Sequence, residues 1–331
     1  MVKPTVISTF AGCGGSSLGY QMAGFHELLA VEWDQNAVDT FRLNFPNVPV
    51  YHGDITKLTG AECMRLAGIE KGALDVLDGS PPCQGFSTAG KRKFDDPRNS
   101  LFKEYARLLN DLQPKVFVME NVTGMVKGHM KQAYLTIIKT LRECGYRAKG
   151  EVLNAMYYNV PQSRERVIII GVREDLGIEP SHPKPQGSPI AAGTIKSVSS
   201  PRLAHSERVS ALWNKLKPGM NGSDLPEQKG NAFGLQKVNP LKPCPTILKG
   251  WTAGTGLLHW AECRFLSIPE MAQLTTFGLD FKWVGVPKQA VERIGNSVPP
   301  NLMKAIAEHI KINILQRTTD AFPGIEIRRV S

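Results

Sequence analysis

The sequence predicts an α/β fold built on a doubly wound, mostly parallel sheet, with a small irregular domain inserted late in the chain. Short apolar runs alternate with stretches of helical periodicity from Val6 to Val172, which is typical of repeated strand–helix units. Several of these runs end in a glycine-rich turn or an acidic residue, where open α/β sheets bind ligands. The segment 182–258 lacks this alternation. We therefore expect a large domain over 1–181, a small domain over 182–258, and a return to the large domain over 259–331.

The composition favours a soluble protein with a polyanionic partner. The 331 residues are 42% apolar and carry a formal net charge of +10, but they contain no apolar run of eighteen residues, so we expect no spanning helix. The first residues show no secretory signal, and the six cysteines form no Cys-x-x-Cys pair. That pattern argues against a zinc site and a disulfide framework, and it favours a reducing cytoplasm. Ten Lys and Arg against three Asp and Glu between residues 182 and 260 supply +7 of the charge.

A cysteine after two prolines dominates the first half of the chain. The apolar run 73–77 predicts a buried strand, and the segment Asp78–Ser87 follows it with Pro81, Pro82 and then Cys83. Prolines end a strand ladder because they lack an N–H group, and the polar, glycine-containing residues that follow are typical of a movable loop. A thiol on a rigid support beneath such a loop indicates a nucleophile under a lid. The alternative is a small apolar core residue.

Four features near the amino terminus together predict an adenosine pocket. The strand 6–10 runs into the glycine-rich turn 11–19, and Glu32 follows Gly12 by twenty residues at the end of a second strand. An acid at this spacing accepts hydrogen bonds from ribose hydroxyls. Trp33 is suited to pack on an adenine face, and Asp54, after a third short strand, to hold its amine. Each feature taken alone also has a purely structural explanation, such as a tight turn for the glycines or a solvated charge for Glu32. The turn lacks both a P-loop lysine and the spaced third glycine of dinucleotide folds, so we expect adenosine with a small substituent.

Charged residues end two further strands. Glu120 follows the apolar run 116–119, and a carboxyl at that edge of the sheet can act as an acid, although it can also cap the next turn. Arg164 and Arg166 precede the apolar run 167–172 and alternate with Glu165. Two guanidinium groups on one face suit a phosphate or carboxylate. The alternative is a surface ion pair with Glu165.

In this order the motifs resemble the bacterial DNA (cytosine-5)-methyltransferase family. The matching pieces cover both ends of the chain and leave the middle unmatched; they are Phe10-Ala11-Gly12-Cys13-Gly14-Gly15, Glu32-Trp33, Gly53-Asp54-Ile55, Pro81-Pro82-Cys83-Gln84, Glu120-Asn121-Val122, Gln162-x-Arg164-x-Arg166 and Ile294-Gly295-Asn296-Ser297-Val298-Pro299. One departure is Pro269, where the family usually carries arginine. The resemblance implies a Rossmann-like, S-adenosylmethionine-dependent fold with a target-recognition domain over 182–258.

The resemblance also implies a role for each matching residue. The thiolate of Cys83 adds to carbon 6 of a flipped cytosine, Glu120 protonates ring nitrogen 3, Arg166 holds the base carbonyl, and Arg164 supports the loop or a phosphate. The S-adenosylmethionine pocket would use Phe10, Gly12, Gly14, Glu32, Trp33, Asp54, Ile55, Pro82, Leu101, Asn296 and Val298. Double-stranded DNA would be contacted by Gln84, Ser87, Lys91, Arg92, Lys237, Lys242 and Lys249. We expect a monomer that needs neither metal nor membrane and is associated with the nucleoid.

Two other functions and one other reading of the middle segment fit parts of the pattern. A tRNA cytosine-5 methyltransferase would share the cysteine and the acid, but its usual Cys-Phe-Thr signature is missing here. An inactive DNA-binding regulator would not need Cys83, Glu120 and both arginines. The basic middle segment is alternatively a solvated insertion. Its length and its large aromatic residues favour a folded domain, and those aromatics are Trp213, Phe233, Trp251 and Trp260.

Overall fold

The computed structural model groups the chain into two compact units. It describes residues 2–82, 100–127, 131–196, 198, 200, 201, 203, 205–228, 234–252 and 254–321. The first unit contains Met1–Leu153, Glu165–Lys184 and Met303–Ser331, and the second contains Asn154–Arg164 and Pro185–Leu302. Compact units are defined by packing and not by function, so the functional domain boundaries expected at residues 182 and 258 stay a prediction.

A seven-stranded sheet forms the centre of the first unit, in the order β3-β2-β1-β4-β5-β7-β6. The strands are β1 (Thr5–Thr9), β2 (His26–Glu32), β3 (Val50–His52), β4 (Val76–Gly79), β5 (Val116–Val122), β6 (Tyr146–Asn154) and β7 (Glu165–Arg173). Strands β1 to β5 pair in parallel, and β7 pairs antiparallel with β5. The predicted α/β class with a mostly parallel sheet is confirmed. The strand order reverses between β1 and β4, and ligands bind at such a switch point.

The core on one face of this sheet is a row of apolar residues in register. Ile7 pairs with Leu29 and Leu77, and Leu77 pairs with Phe117; all four are buried in one cluster. The next residue in the row is Gly171, where an added Cβ would collide with the ring of Phe117. Parallel strands buried on both faces need such continuous apolar runs, which is why the sequence identified these strands.

Helices connect the strands of the first unit and begin at local capping signals. They are α1 (Gly15–Met22), α2 (Gln35–Asn44), α3 (Gly60–Ala67), α4 (Ser100–Leu112) and α5 (Lys131–Glu143). The side chain of Asp34 accepts a hydrogen bond from the Ala37 N–H at the start of α2, and Thr59 caps α3 in the same way. Helix α1 has no side-chain cap, because its N-cap is Gly14 in a left-handed conformation.

The second unit is irregular, with a small parallel sheet of β8 (Gly234–Lys237) and β9 (Thr255–Leu258). Its helices are α6 (Glu207–Lys215), α7 (Ile268–Leu274) and α8 (Pro287–Asn296). Pro269 lies in the first turn of α7, where its missing N–H costs no helical hydrogen bond. The chain then continues through α9 (Pro300–Ile310), a π-helical stretch (Lys311–Leu315) and α10 (Gln316–Ala321).

Candidate active site

The glycine-rich turn after β1 leaves open space beside its backbone. Phe10 and Gly12 both adopt left-handed conformations, with φ of 55° and 57°, and the Phe10 ring packs on the core. A Cβ added at Gly12 would meet no atom within 4 Å, whereas one at Gly14 would collide with the ring of Phe45. Gly14 is therefore required by packing, and Gly12 leaves room for a ligand to approach the main chain.

Glu32 fastens this turn to the end of β2. One carboxylate oxygen accepts from the Gly12 N–H at 2.8 Å, and the other accepts from the N–H groups of Trp33 and Asp34 at 2.8 and 2.9 Å. A carboxylate offers about four acceptor positions, so three backbone donors leave room for one more. The sequence predicted an acid at this place, but it did not predict that the acid also closes the turn.

The remaining predicted adenosine contacts lie at the ends of neighbouring strands. The Trp33 side chain is 76% exposed, so its ring face is available for stacking. Asp54 is exposed and caps a 3-10 helix through the Thr56 N–H, and Ile55 is buried behind it. Pro82 and Leu101 are half-buried.

Asn296 and Val298 belong to the second unit. Asn296 is exposed at the end of α8, and Val298 is buried two residues later.

Glu120 and Arg166 form an ion pair at the carboxyl end of β5. The Arg166 Nε lies 2.9 Å from the Glu120 Oε1, and Glu120 is only 9% exposed. The antiparallel register, which pairs Val122 with Arg166, sets the two side chains close together. Arg166 therefore does not form the predicted alternative pair with the carboxylate of Glu165; it donates instead to the Glu165 backbone carbonyl.

Asn121 links this acid to the proline segment that precedes Cys83. Its side-chain nitrogen donates to the Pro81 carbonyl at 3.0 Å, and its oxygen accepts from the Val122 N–H at 2.9 Å. Sequence reasoning quoted Asn121 within a motif but gave it no role. The available signal was the position of Asn121 directly after Glu120. An amide at that position is able both to donate and to accept hydrogen bonds.

Arg164 serves a different purpose from Arg166. It lies in the second unit, is 2% exposed, and donates to the backbone carbonyls of Ile247 at 3.2 Å and Gly295 at 2.9 Å. Gln162 makes a similar clamp, donating to Leu274 and accepting from the Ile247 N–H. Both guanidinium contacts are to backbone carbonyls of the second unit, and the expected role of Arg164 toward the loop or a phosphate stays a prediction.

The predicted DNA-contacting residues are only partly described. Cys83, Gln84, Ser87, Lys91 and Arg92 lie outside the described residues.

Among the lysines of the second unit, Lys242 and Lys249 are exposed. Lys237 is 6% exposed, and its Nζ lies 3.5 Å from the ring centre of Trp213 and donates to the Trp213 carbonyl. This burial argues against Lys237 as a phosphate ligand, because the ammonium already has a cation–π partner and an acceptor.

Two acids beneath α1 were missed by sequence reasoning. Asp78, at 3% exposure, accepts a hydrogen bond from the Tyr20 hydroxyl at 3.3 Å, and Glu27 accepts one from the Ser17 hydroxyl at 2.8 Å. Burial raises the pKa of Glu27 to about 7. Burial and then the neighbouring Glu27 raise the pKa of Asp78 well above its ordinary value. Each acid interrupts an apolar strand pattern, and that interruption was the available signal.

The part of the chain that the structure describes contains neither a candidate metal site nor a candidate membrane span. There, no group of three or more His, Cys, Asp or Glu residues is arranged to hold a metal ion. No described helix is long and apolar enough to cross a membrane.

Comparison with known proteins decides the family. The model of the C-5 cytosine-specific DNA methylase family matches residues 4–312. The chain belongs to this family. The type II methyltransferase M1.HphI of Haemophilus parahaemolyticus is similar, with 35% identity over 92% of this chain and 86% of its own length. M.Sau96I of Staphylococcus aureus is 33% identical over 92% of this chain and 75% of its own length. The protein is a DNA (cytosine-5)-methyltransferase.

Solved structures agree on the fold. A DNA modification methyltransferase encoded within a prophage (E. coli) has a TM-score of 0.78 at 23% identity, covering 95% of this chain and all of that one. A mutant DNMT2 of Spodoptera frugiperda has a TM-score of 0.69 at 20% identity, covering 94% and 99% of the two chains. The methyltransferase therefore has the Rossmann-like fold expected from its motifs.

Proposed function

We propose that this methyltransferase transfers a methyl group from S-adenosylmethionine to carbon 5 of a flipped cytosine in a specific double-stranded DNA sequence, through a covalent bond between Cys83 and the ring. The ion pair of Glu120 and Arg166, at 2.9 Å, carries the proposal. It sets an acid and a guanidinium side by side, and Asn121 ties the same strand end to Pro81, two residues before the cysteine. A base entering this place meets both a proton donor and a carbonyl-binding group.

Each protein group has one step in this chemistry. Carbon 5 of cytosine is a weak nucleophile, so the Cys83 thiolate first adds to carbon 6. Glu120 donates a proton to ring nitrogen 3, which receives the electron density that the addition releases. Arg166 holds the base carbonyl with charge-assisted hydrogen bonds. After carbon 5 has gained the methyl group, a water molecule takes its proton, the Cys83–carbon 6 bond breaks to restore the thiolate, and ring nitrogen 3 returns its proton to Glu120.

The residues at the carboxyl ends of β1 to β3 fit S-adenosylmethionine, which supplies the methyl group when bound. The open space at Gly12 admits a ligand close to the main chain. Glu32 retains an acceptor position for ribose hydroxyls, and the exposed ring of Trp33 offers a stacking face. Asp54 would accept from the adenine amine, and Phe10 and Ile55 would line the pocket.

The biological setting is part of the proposal. Similarity to type II methyltransferases supports a place in a restriction–modification system, with an orphan modification enzyme as the alternative. We propose residues 182–258 as the target-recognition domain, duplex DNA rather than tRNA as the substrate, a monomeric state and a location at the nucleoid in the cytoplasm.

The test replaces the proposed nucleophile. Cys83→Ser abolishes turnover but binds S-adenosylmethionine normally, since a hydroxyl is a far weaker nucleophile than a thiolate at neutral pH. Duplex DNA containing 5-fluorocytosine forms a covalent adduct with the unchanged protein, because fluorine blocks proton loss from carbon 5. The matched control is Cys144→Ser, a thiol on the first unit that donates to the Ala106 carbonyl, and this variant still forms the adduct. Turnover of Cys83→Ser within about tenfold of the unchanged protein refutes the covalent mechanism.

A further inference from the structure

Helix α1 is joined to two different strands by hydrogen bonds to acids. The Tyr20 hydroxyl donates to Asp78 on β4, and the Ser17 hydroxyl donates to Glu27 on β2. Tyr20, Ser17 and Asp78 are all buried, so neither bond is a loose surface contact. Buried hydroxyl–carboxyl bonds of this kind fix a helix in one position, because breaking them leaves polar groups unsatisfied.

The two acids lie on the strands that flank β1, Glu27 on β2 and Asp78 on β4. No described Lys, Arg or His forms an ion pair with either carboxyl. The groups that act on Asp78 are Glu27 from β2, Tyr20 and Ser16 from α1, Glu120 from β5 and Tyr105 from α4, and those that act on Glu27 are Ser8 from β1 and Ser17 from α1. Burial favours the protonated form of Glu27, and burial followed by the charge of Glu27 favours the protonated form of Asp78.

These two hydrogen bonds, here called the joint, fix α1 and the glycine turn before it against β2 and β4. Helix α1 begins directly after the turn that contains Gly12 and Gly14, and β4 leads through Pro81 and Pro82 toward Cys83. A shift of α1 against β4 therefore moves the glycine turn relative to the carboxyl end of β4, where ligands of such sheets bind. A displacement of about 1 Å at such a place is enough to lower a rate or an affinity markedly.

We propose that Asp78 and Tyr20 are positioning residues: an uncharged Asp78, assisted by an uncharged Glu27, holds α1 and its glycine turn against β4, so cofactor affinity depends on both acids staying protonated. The inference rests on the proposed S-adenosylmethionine pocket. Ionisation of both acids puts two charges beneath α1 without a counterion, which loosens the joint and weakens cofactor binding as pH rises.

The same protonation has a predictable effect on stability. The pKa of Glu27 rises from 4.5 to about 7 on folding, so the folded state holds a proton that the unfolded state releases. The stabilisation is fully present below about pH 4.5 and is lost as pH rises through about 7. Glu27→Gln therefore flattens the decline in unfolding free energy across this window, which denaturant titration at several pH values measures.

The deciding experiment measures S-adenosylmethionine affinity by calorimetry from about pH 6 to about pH 9. The variants are Tyr20→Phe and the permanently uncharged double variant Glu27→Gln/Asp78→Asn. The matched control is Tyr146→Phe, which also loses one buried tyrosine hydrogen bond, to the Pro114 carbonyl. The ligand's own amine titrates near pH 8, but it does so equally with every variant and cancels in the comparison.

The expected results separate positioning from general stability. The Kd of the unchanged protein rises by at least about threefold more over this range than that of the double variant. Tyr20→Phe raises Kd and KM for the cofactor at every pH, with kcat at saturating cofactor nearly unchanged, while Tyr146→Phe binds normally. Equal affinity of Tyr20→Phe and Tyr146→Phe, or the same pH dependence in the double variant and the unchanged protein, overturns the inference. Failure of the unchanged protein to bind S-adenosylmethionine overturns the proposed function instead.

Discussion

At the scale of single residues, the acid Glu120 gives the sharpest prediction. Glu120→Gln keeps an oxygen that accepts from Arg166, but it removes the proton that the proposed mechanism delivers to the base. General acid catalysis contributes about 10²–10⁴-fold in rate, so kcat falls by about that factor while DNA affinity changes little. Single-turnover methyl transfer on a duplex with a known site measures this.

The neighbouring acid supplies the control for that prediction. Glu165→Gln changes an exposed carboxylate that follows Arg164 in sequence and gives Arg166 only its backbone carbonyl. Its kcat stays within about twofold of the unchanged protein, as expected for a surface substitution. A Glu120→Gln variant that turns over as fast as Glu165→Gln would remove Glu120 from the mechanism.

Residue identities were more predictable from the sequence than residue contacts. The position of Glu32 at a strand end follows from the twenty-residue spacing, but its three bonds to backbone N–H groups depend on how the turn folds back. Lys237 was expected at a DNA surface because it is charged, yet it packs over Trp213, twenty-four residues away in sequence. Charge is a local property of the sequence, whereas burial is set by distant partners.

At the scale of elements, α8 lies so close to residues 247–249 that alanine at Gly295 is expected to destabilise the protein. A Cβ added at Gly295 would lie 2.5 Å from the Leu248 carbonyl carbon and from the Lys249 nitrogen, and both are backbone atoms that cannot move aside. Gly→Ala inside a helix ordinarily stabilises by about 0.5–1 kcal/mol. Here overpacking costs about 1–3 kcal/mol, so Gly295→Ala destabilises the protein in thermal or denaturant unfolding.

A second glycine of the same unit, Gly250, tests whether packing causes the loss of stability expected for Gly295→Ala. An added Cβ at Gly250 would meet no atom within 4 Å, and Gly250→Ala is therefore neutral or slightly stabilising. If the two variants unfold alike, the close contact between α8 and residues 247–249 does not determine the effect of alanine at Gly295.

Element types were predictable where one physical signal dominated. The runs 116–119 and 167–172 identified β5 and β7 because strands buried on both faces must be apolar, but no run reveals that β7 is antiparallel to β5. Nor does the sequence reveal that the five residues after α9, Lys311–Leu315, are π-helical, because this change of hydrogen-bond register leaves the apolar periodicity nearly unaltered.

At the scale of the whole molecule, the segment Asn154–Arg164 shows the limit of reading domains in order along the chain. It begins with the last residue of β6 and ends directly before β7, yet it belongs to the second compact unit. The cause is long-range bonding, since Gln162 and Arg164 contact Leu274, Ile247 and Gly295. Partners more than eighty residues away leave no periodic signal in the local sequence.

The net charge of +10 predicts a measurable salt dependence of DNA binding. Lys242 and Lys249 are exposed, whereas Lys237 is buried, so only the first two are neutralised in Lys242→Gln/Lys249→Gln. If both contact phosphates, the slope of log K against log salt becomes shallower by about 1.8, and affinity falls for every sequence alike. The control pair Lys139→Gln/Lys304→Gln, two helix lysines paired with acids, leaves the slope unchanged. Equal slopes for both double variants would place the DNA surface elsewhere.

Sequence specificity gives the last prediction, because the target-recognition assignment can be separated from the chemistry. Replacing 200–258 with the equivalent segment of a relative that methylates another site moves the methylated site, while adduct formation at Cys83 persists. The exchange must end after β9, since β8 and β9 pair in one sheet and a boundary at 255 would separate the two strands. Arg164 binds the carbonyl of Ile247, a main-chain group that any replacement also supplies, so the clamp survives. Bisulfite sequencing of DNA from cells expressing the chimera reports both base and site. An active chimera that keeps the original site would assign the reading of sequence to the loop after Cys83.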